Sequence, residues 1–379
     1  MTTADGRTQT ERSFIAPSLL TPRARVAPAL LRIAGGAVLS LERAGVRLAG
    51  ATELSGTVVP GLVDLQVNGW GDRDVLEGTV AAVEGIALAL LAEGVTSWLP
   101  TIVSAPAPDR LEALGAIAEA MDRQRRGVVP GARILGAHLE GPWISRARAG
   151  AHDPGALEPP NMLSIEQSLG HRPGTVRIVT LAPELSGGLD AVRQIVSHGA
   201  VASIGHSDAS LPEASAAISA GARMATHLYN AMRPMHHREP GVVGAVLTDP
   251  RVVAGLIADG IHLDPATVLL VFRAKPERVA LVSDVVAGER SAGADAVRLG
   301  DGTLAGGLAG LLDGVGVAVR AGVMFDDAIQ AATLTPAEVL RVPVGRLSPG
   351  GPADFVVLDA ELRPRATHLG GERVWSDLP

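Results

Sequence analysis

From about residue 58 to residue 344 the chain alternates short, uninterrupted apolar runs with longer Ala-rich stretches in which apolar positions recur at helical spacing. The apolar runs at 63–67, 97–100, 134–138, 176–180, 201–204, 224–227, 253–258 and 279–283 show no polar alternation, which predicts strands buried on both faces. Helices are predicted between them, over 79–91, 108–124, 188–198 and 211–220 among others. Strand and helix in regular alternation predict an α/β protein with a parallel sheet, and about eight such strands fit a (β/α)8 TIM-type barrel better than an open sheet. The repeat is one of structure only, with no internal sequence repeat.

The ends of the chain read differently. Residues 1–13 are polar and aperiodic, which predicts a disordered N-terminus. Short β-type pieces follow at 30–33, 37–41 and 46–48, separated by Gly35, Gly36 and Gly45. An apolar strand at 353–358 and a last short strand reaching Val374 close the chain. Strands at opposite ends can pair only if the termini meet, so one small β domain is expected from 14–57 and 346–379. The catalytic barrel would span 58–345.

Composition narrows the chemistry. With no cysteine in 379 residues, a thiolate nucleophile, a disulfide scaffold and Cys-ligated metal are excluded. A net charge of -7 argues against a nucleic-acid groove. Lys275 is the only lysine, so there is no Walker-type phosphate loop, and no Gly-x-Ser-x-Gly elbow occurs. Four Phe, four Trp and one Tyr leave the core to Ala, Val, Leu and Ile. No apolar stretch is long enough for a membrane helix and the N-terminus lacks a signal-peptide pattern, so the expected setting is the cytoplasm, with no membrane and no nucleic-acid partner.

In barrels of this kind the reacting groups sit at the C-terminal ends of the strands. Those ends here carry Gln66 and Asn68, His138 and Glu140, then His206, His227, His262 and Asp284. Glu140, His206 and His227 each directly follow an apolar run, so three strand ends can converge on one divalent ion and leave a position for water. Each could instead be a satisfied buried polar group. Asp284 closes the last run and would reach the barrel mouth as a proton carrier, or else cap the next turn. Asn230, the N–H groups after it and Arg238 could grip a phosphate, whereas His236 and His237 read as solvated loop residues.

The blocks that carry a resemblance are Val59-Pro-Gly-Leu-Val-Asp-Leu-Gln-Val-Asn-Gly69, Gly136-Ala-His-Leu-Glu-Gly-Pro-Trp143 and Gly150-Ala-His-Asp-Pro154. Further on come Ile204-Gly-His-Ser-Asp208, Thr226-His-Leu-Tyr-Asn-Ala-Met232 with Arg238-Glu-Pro-Gly241, Ala258-Asp-Gly-Ile-His262 and Leu281-Val-Ser-Asp284. Through them the chain resembles the N-acetylglucosamine-6-phosphate deacetylases of the amidohydrolase superfamily, from about Gly56 to Val374.

The resemblance implies a metal-dependent hydrolase that releases acetate from N-acetyl-D-glucosamine 6-phosphate, in amino-sugar catabolism or recycling. It implies one divalent ion per subunit, zinc or another divalent metal, on Glu140, His206 and His227. Asp284 would be general base and then acid, and His152 would polarise the acetyl carbonyl. Ala151 would contact the substrate, while Asn230, Ala231, His262 and Arg238 would hold the phosphate, Arg238 across the interface of a homodimer. Leu304, Ala305 and Gly306 would line the sugar. Where two-metal relatives have His-x-His, this chain has Gln66 and Asn68, degenerate second-metal positions that predict a single tight metal. The chain also departs from the pattern in a shortened segment at 285–303, at Gly307 and at Trp70. The alternatives are a deacylase of another N-acyl amino-sugar phosphate and a catalytically silent sugar-phosphate-binding paralogue.

Overall fold

Eight apolar segments form parallel strands around one ring: β1 (Leu62–Val67), β2 (Val95–Ile102), β3 (Ala137–Glu140), β4 (Val176–Leu181), β5 (Val201–Ile204), β6 (Met224–Ala225), β7 (Val253–Leu256) and β8 (Val279–Leu281). This computed structural model describes residues 11–22, 24–45, 49–288, 296–300 and 302–377. Each strand pairs in parallel with the next from β1 through β8. The ring closes where Val67, at the end of β1, bridges Val285 beyond β8 in parallel. The Asp284 N–H also donates to the Gln66 carbonyl across this seam at 3.0 Å. Nearly every strand residue is buried, which explains the lack of alternation in the sequence.

A helix follows each strand: α1 (Val80–Ala89), α2 (Ala107–Arg125), α3 (Met162–His171), α4 (Gly188–Ser197), α5 (Leu211–Ala220), α6 (Gly241–Thr248), α7 (Pro265–Ala274) and α8 (Leu311–Arg320). Their starts are set locally. Thr79 accepts from the Ala82 N–H ahead of α1, Asp264 from the Ala266 N–H ahead of α7, and Ser210 forms a capping box with Glu213 at α5. Most buried hydrophobics lie between the barrel and this outer layer. A second cluster joins Leu65, Leu99, Ile178, Met224 and Ala280 from different strands with Leu340 and Val344, so the barrel interior is filled.

The chain ends build two further sheets. One has four strands in the order Ala37–Arg43, Ala29–Ala34, Arg12–Ala16 and Thr52–Glu53. The other has six, and in it Phe355–Leu358 lies antiparallel to Thr57–Pro60, so residues from both ends share a ladder. Phe14, Leu31, Val58, Phe355 and Val357 form the core between them. Strand Arg12–Ala16 begins inside the stretch expected to be disordered, because Arg12 and Ser13 pair with Ile33 and Arg32. Residues 1–10 and the expected strand at 46–48 lie outside the described residues. No helix among the described residues is long and apolar enough to cross a membrane.

Candidate active site

The C-terminal ends of the strands open into a cavity of about 640 Å³. Its lining includes Asn68, Glu140, Ala151, His152, His206, His227, Asn230, Ala231, His262, Asp284, Leu304, Ala305 and Gly306. Of the residues singled out from sequence, Gln66, Trp70, His138, Arg238 and Gly307 do not line it. Gln66 sits beneath the lining, while Arg238 is on the exposed turn after Met232, where its guanidinium meets His237 at 2.8 Å. Asn230 and Arg238, both expected to grip the phosphate, therefore do not share this cavity within one chain.

At the floor, Glu140 Oε1 lies 2.8 Å from His227 Nε2 and 3.2 Å from His206 Nε2, and the two ring nitrogens are 3.1 Å apart. The strands end just before these side chains. The run expected to continue to His227 stops at Ala225, because the chain leaves extended geometry there. His206, His227 and Asp284 all have positive φ, at 47°, 30° and 49°. Such backbone is costly for residues with a Cβ and is held only where the surroundings over-determine it, often at functional sites.

Hydrogen bonding shows what this cluster can hold. His206 Nδ1 faces the Arg148 carbonyl at 2.9 Å, and a carbonyl only accepts, so the ring proton is on Nδ1 and Nε2 presents a lone pair. That lone pair points at a carboxylate oxygen and at a second imidazole nitrogen. Burial would raise Glu140, but the two imidazoles beside it hold it well below the usual carboxylate range. Burial likewise opposes charge on His227, yet Glu140 lifts it to about 8. A proton at His227 thus bridges three converging acceptors. Two imidazoles and a carboxylate are a suitable donor set for a divalent cation in the same place.

Asp284 stands beside this cluster. Its Oδ1 accepts from both Gln66 Nε2 and Asn68 Nδ2 at 2.8 Å, and Gln66 Nε2 also donates to Glu140 at 3.0 Å. The amides at the expected second-metal positions thus turn N–H donors, not lone pairs, toward the carboxylates. Burial, reinforced by the charge of Glu140, pushes Asp284 up to about 7. Its backbone is fixed as well: its carbonyl accepts from the Gly307 N–H at 3.1 Å. Strand Leu304–Gly307 comes this close because Gly306 has no side chain, whose Cβ would sit 2.4 Å from Val286.

His152 completes the wall. Burial pushes its pKa down to about 3, so the ring is neutral. His262 is anchored at Nδ1 by Asp259 Oδ2, 2.6 Å away, and Asp259 also accepts the N–H groups of Ile261 and His262. Below the site His138, lowered to about 4 by burial, belongs to a buried chain running through Thr180 and Thr226 to Ser203. Among the described residues that line the cavity there is no Arg or Lys. Residues 289–295 and 301 of the shortened segment lie outside the described residues.

Sequence reasoning missed Asp74, Ser104, Leu299 and Thr303, which also face the cavity. They come from loops and a two-residue strand whose placement depends on contacts distant in the chain, and the capping pattern Asp74-x-x-Glu77 is the one local signal that could have pointed to any of them.

Comparison with known proteins agrees with this architecture. Residues 57–374 match the Amidohydrolase family. N-acetylglucosamine-6-phosphate deacetylase of Bos taurus is 38% identical over 346 residues, covering 84% of this chain and 83% of that protein. N-acetylgalactosamine-6-phosphate deacetylase of Escherichia coli O157:H7 is 36% identical over 359 residues, covering 90% and 93%. Among solved structures, a variant N-acetyl-D-glucosamine-6-phosphate deacetylase of Mycobacterium smegmatis in complex with N-acetyl-D-glucosamine-6-phosphate superposes with a TM-score of 0.91 at 33% identity, covering 97% of this chain and 100% of that one. A metal-compatible His and Glu cluster at the mouth of a (β/α)8 barrel, with a family match over most of its length, makes this chain a member of the amidohydrolase family.

Proposed function

We propose that the chain hydrolyses the acetamide of N-acetyl-D-glucosamine 6-phosphate to D-glucosamine 6-phosphate and acetate, as a cytoplasmic step in amino-sugar breakdown or recycling. The observation that carries this reading is the convergence of Glu140, His206 and His227 within 3.2 Å, with Asp284 held beside them in one cavity. Held by those three side chains, a divalent cation, zinc in this proposal, would polarise the acetyl carbonyl and acidify water.

The chain's own groups do the rest. With Oδ1 of Asp284 occupied by two amides, Oδ2 takes a proton as water oxygen bonds to the carbonyl carbon. His152 donates a hydrogen bond to the carbonyl oxygen as negative charge develops there. The C–N bond then breaks, and Asp284 passes its proton to the departing amine. Asn230, Ala231 and His262 hold the phosphate. Because no Arg or Lys lines the cavity among the described residues, the reading includes a homodimer in which Arg238 of the partner subunit reaches the phosphate.

The same chemistry on the C4 epimer is the second reading, since a relative 36% identical is named for N-acetylgalactosamine 6-phosphate. The test is acetate release from both phosphorylated sugars and from unphosphorylated N-acetylglucosamine. Turnover of N-acetylglucosamine 6-phosphate at the highest kcat/KM, abolished by a chelator, is expected. Preference for the epimer would move the assignment to the second reading. No acetate from any of the three would refute both and revive the silent paralogue.

A further inference from the structure

His152 lies close enough to the cluster to compete for a place in it: one of its ring nitrogens and ligand atoms of Glu140 and His206 all lie within 4.8 Å of one another. Geometry alone leaves two sets of three, one with His152 and one with His227. Hydrogen bonding at the far side of each ring separates them.

The Ser104 backbone N–H points at His152 Nδ1 at 3.2 Å, and the Ser104 hydroxyl lies 2.8 Å from the same nitrogen. A backbone N–H can only donate, so Nδ1 must carry the lone pair, and the hydroxyl can donate to it as well. The single proton of the neutral ring is then on Nε2. His206 is fixed the opposite way by the Arg148 carbonyl at its Nδ1. Two imidazoles with centroids 4.5 Å apart are therefore set in opposite tautomers by one backbone N–H and one backbone C=O. His206 offers a lone pair at Nε2; His152 offers N–H.

We propose that Ser104 is a positioning residue for the reaction, holding His152 as the Nε2–H tautomer so that it donates to substrate and cannot ligate the cation. The inference rests on the deacetylase reading for its role, though not for the tautomer. Gly141, which follows Glu140 directly, makes the arrangement possible: a Cβ there would sit 2.3 Å from Ser104 Oγ. The loop after β2 can thus reach under His152 only because the residue after Glu140 has no side chain. Ser104 itself is buried, so water does not compete for the contact.

Two-bond proton–nitrogen spectra of the zinc-loaded, histidine-labelled chain read the tautomer, with His152 identified from the signal lost in His152→Gln. A bare Nδ1 and a protonated Nε2 at His152 are expected, and cadmium loading should give metal–nitrogen coupling at His206 and His227 but not at His152. Ser104→Ala keeps the backbone N–H and removes the hydroxyl. It should leave the tautomer as that N–H sets it but loosen the ring, lowering kcat about tenfold, the usual scale for a lost outer partner, with KM and metal content unchanged. Ser104→Thr, which keeps the hydroxyl, should restore kcat. A proton on Nδ1, cadmium coupling at His152, or wild-type kcat in Ser104→Ala would each overturn the proposal. A wild-type chain that releases no acetate would instead refute the deacetylase reading, and the nitrogen shifts would still decide the tautomer.

Discussion

Replacing Gln66 by Leu tests how the site controls Asp284. The variant keeps the approximate volume of the side chain and removes two N–H···O bonds, at 2.8 Å to Asp284 and 3.0 Å to Glu140. A hydrogen bond to a charged group contributes about 1.5–3 kcal/mol. If the bond to Asp284 holds it in its working orientation, its loss should raise the barrier by that amount, a fall in kcat of about 10- to 160-fold. Gln66 does not line the cavity, so substrate should bind as before and KM should stay within about twofold. The bond to Glu140 means that the metal site should weaken as well, by about tenfold, so steady-state rates are to be taken at saturating metal. An unchanged kcat, or a loss confined to KM, would refute the view that Gln66 works through Asp284.

Two other outcomes follow from the contacts of His262 and His368. Asp259→Asn weakens the anchor on His262 and should raise KM for the phosphorylated sugar by about tenfold while leaving kcat within about threefold, as steady-state kinetics would show. His368 lies stacked on Phe355, and burial pushes its pKa down to about 4, so the folded chain holds it neutral while the unfolded chain protonates it near 6.5. Its contribution is full above pH 6.5 and falls as pH drops toward 4, by about 3 kcal/mol, a slope that urea titrations should find reduced in His368→Phe.

Much of this was legible in the order of residues. The barrel strands showed because strands buried on both faces need unbroken apolar runs, and the polar groups that converge at the mouth showed because each run ends where the barrel opens. Helices with one apolar face, such as α4 with Ala191, Val192 and Ile195 buried, were equally visible. By contrast α6 is Gly-Val-Val-Gly-Ala-Val-Leu-Thr, apolar on all sides and rich in β-formers, so no helical period marks it. The same holds for α7, whose Val-Leu-Leu-Val-Phe run reads as a strand despite the Asp264 cap and Pro265.

In the site, the donor set on Glu140, His206 and His227 is local to strand ends and could be read in advance. The tautomers could not, because they depend on the Arg148 carbonyl and the Ser104 N–H, groups carried by loops after other strands. Gln66 and Asn68 read as relics of metal ligands. Their place as donors to Asp284 emerges only when β1 meets the end of β8 across the seam.

The central claim is that one divalent ion on Glu140, His206 and His227 is required for amide hydrolysis. Its most direct test is to strip the chain with a chelator, add zinc back in fractions of an equivalent, and follow acetate release together with bound metal. Activity that rises linearly and levels at one ion per chain, with Glu140→Gln failing to recover it, is the predicted result. Full turnover by the stripped chain, or activity that levels only at two bound ions, would contradict it.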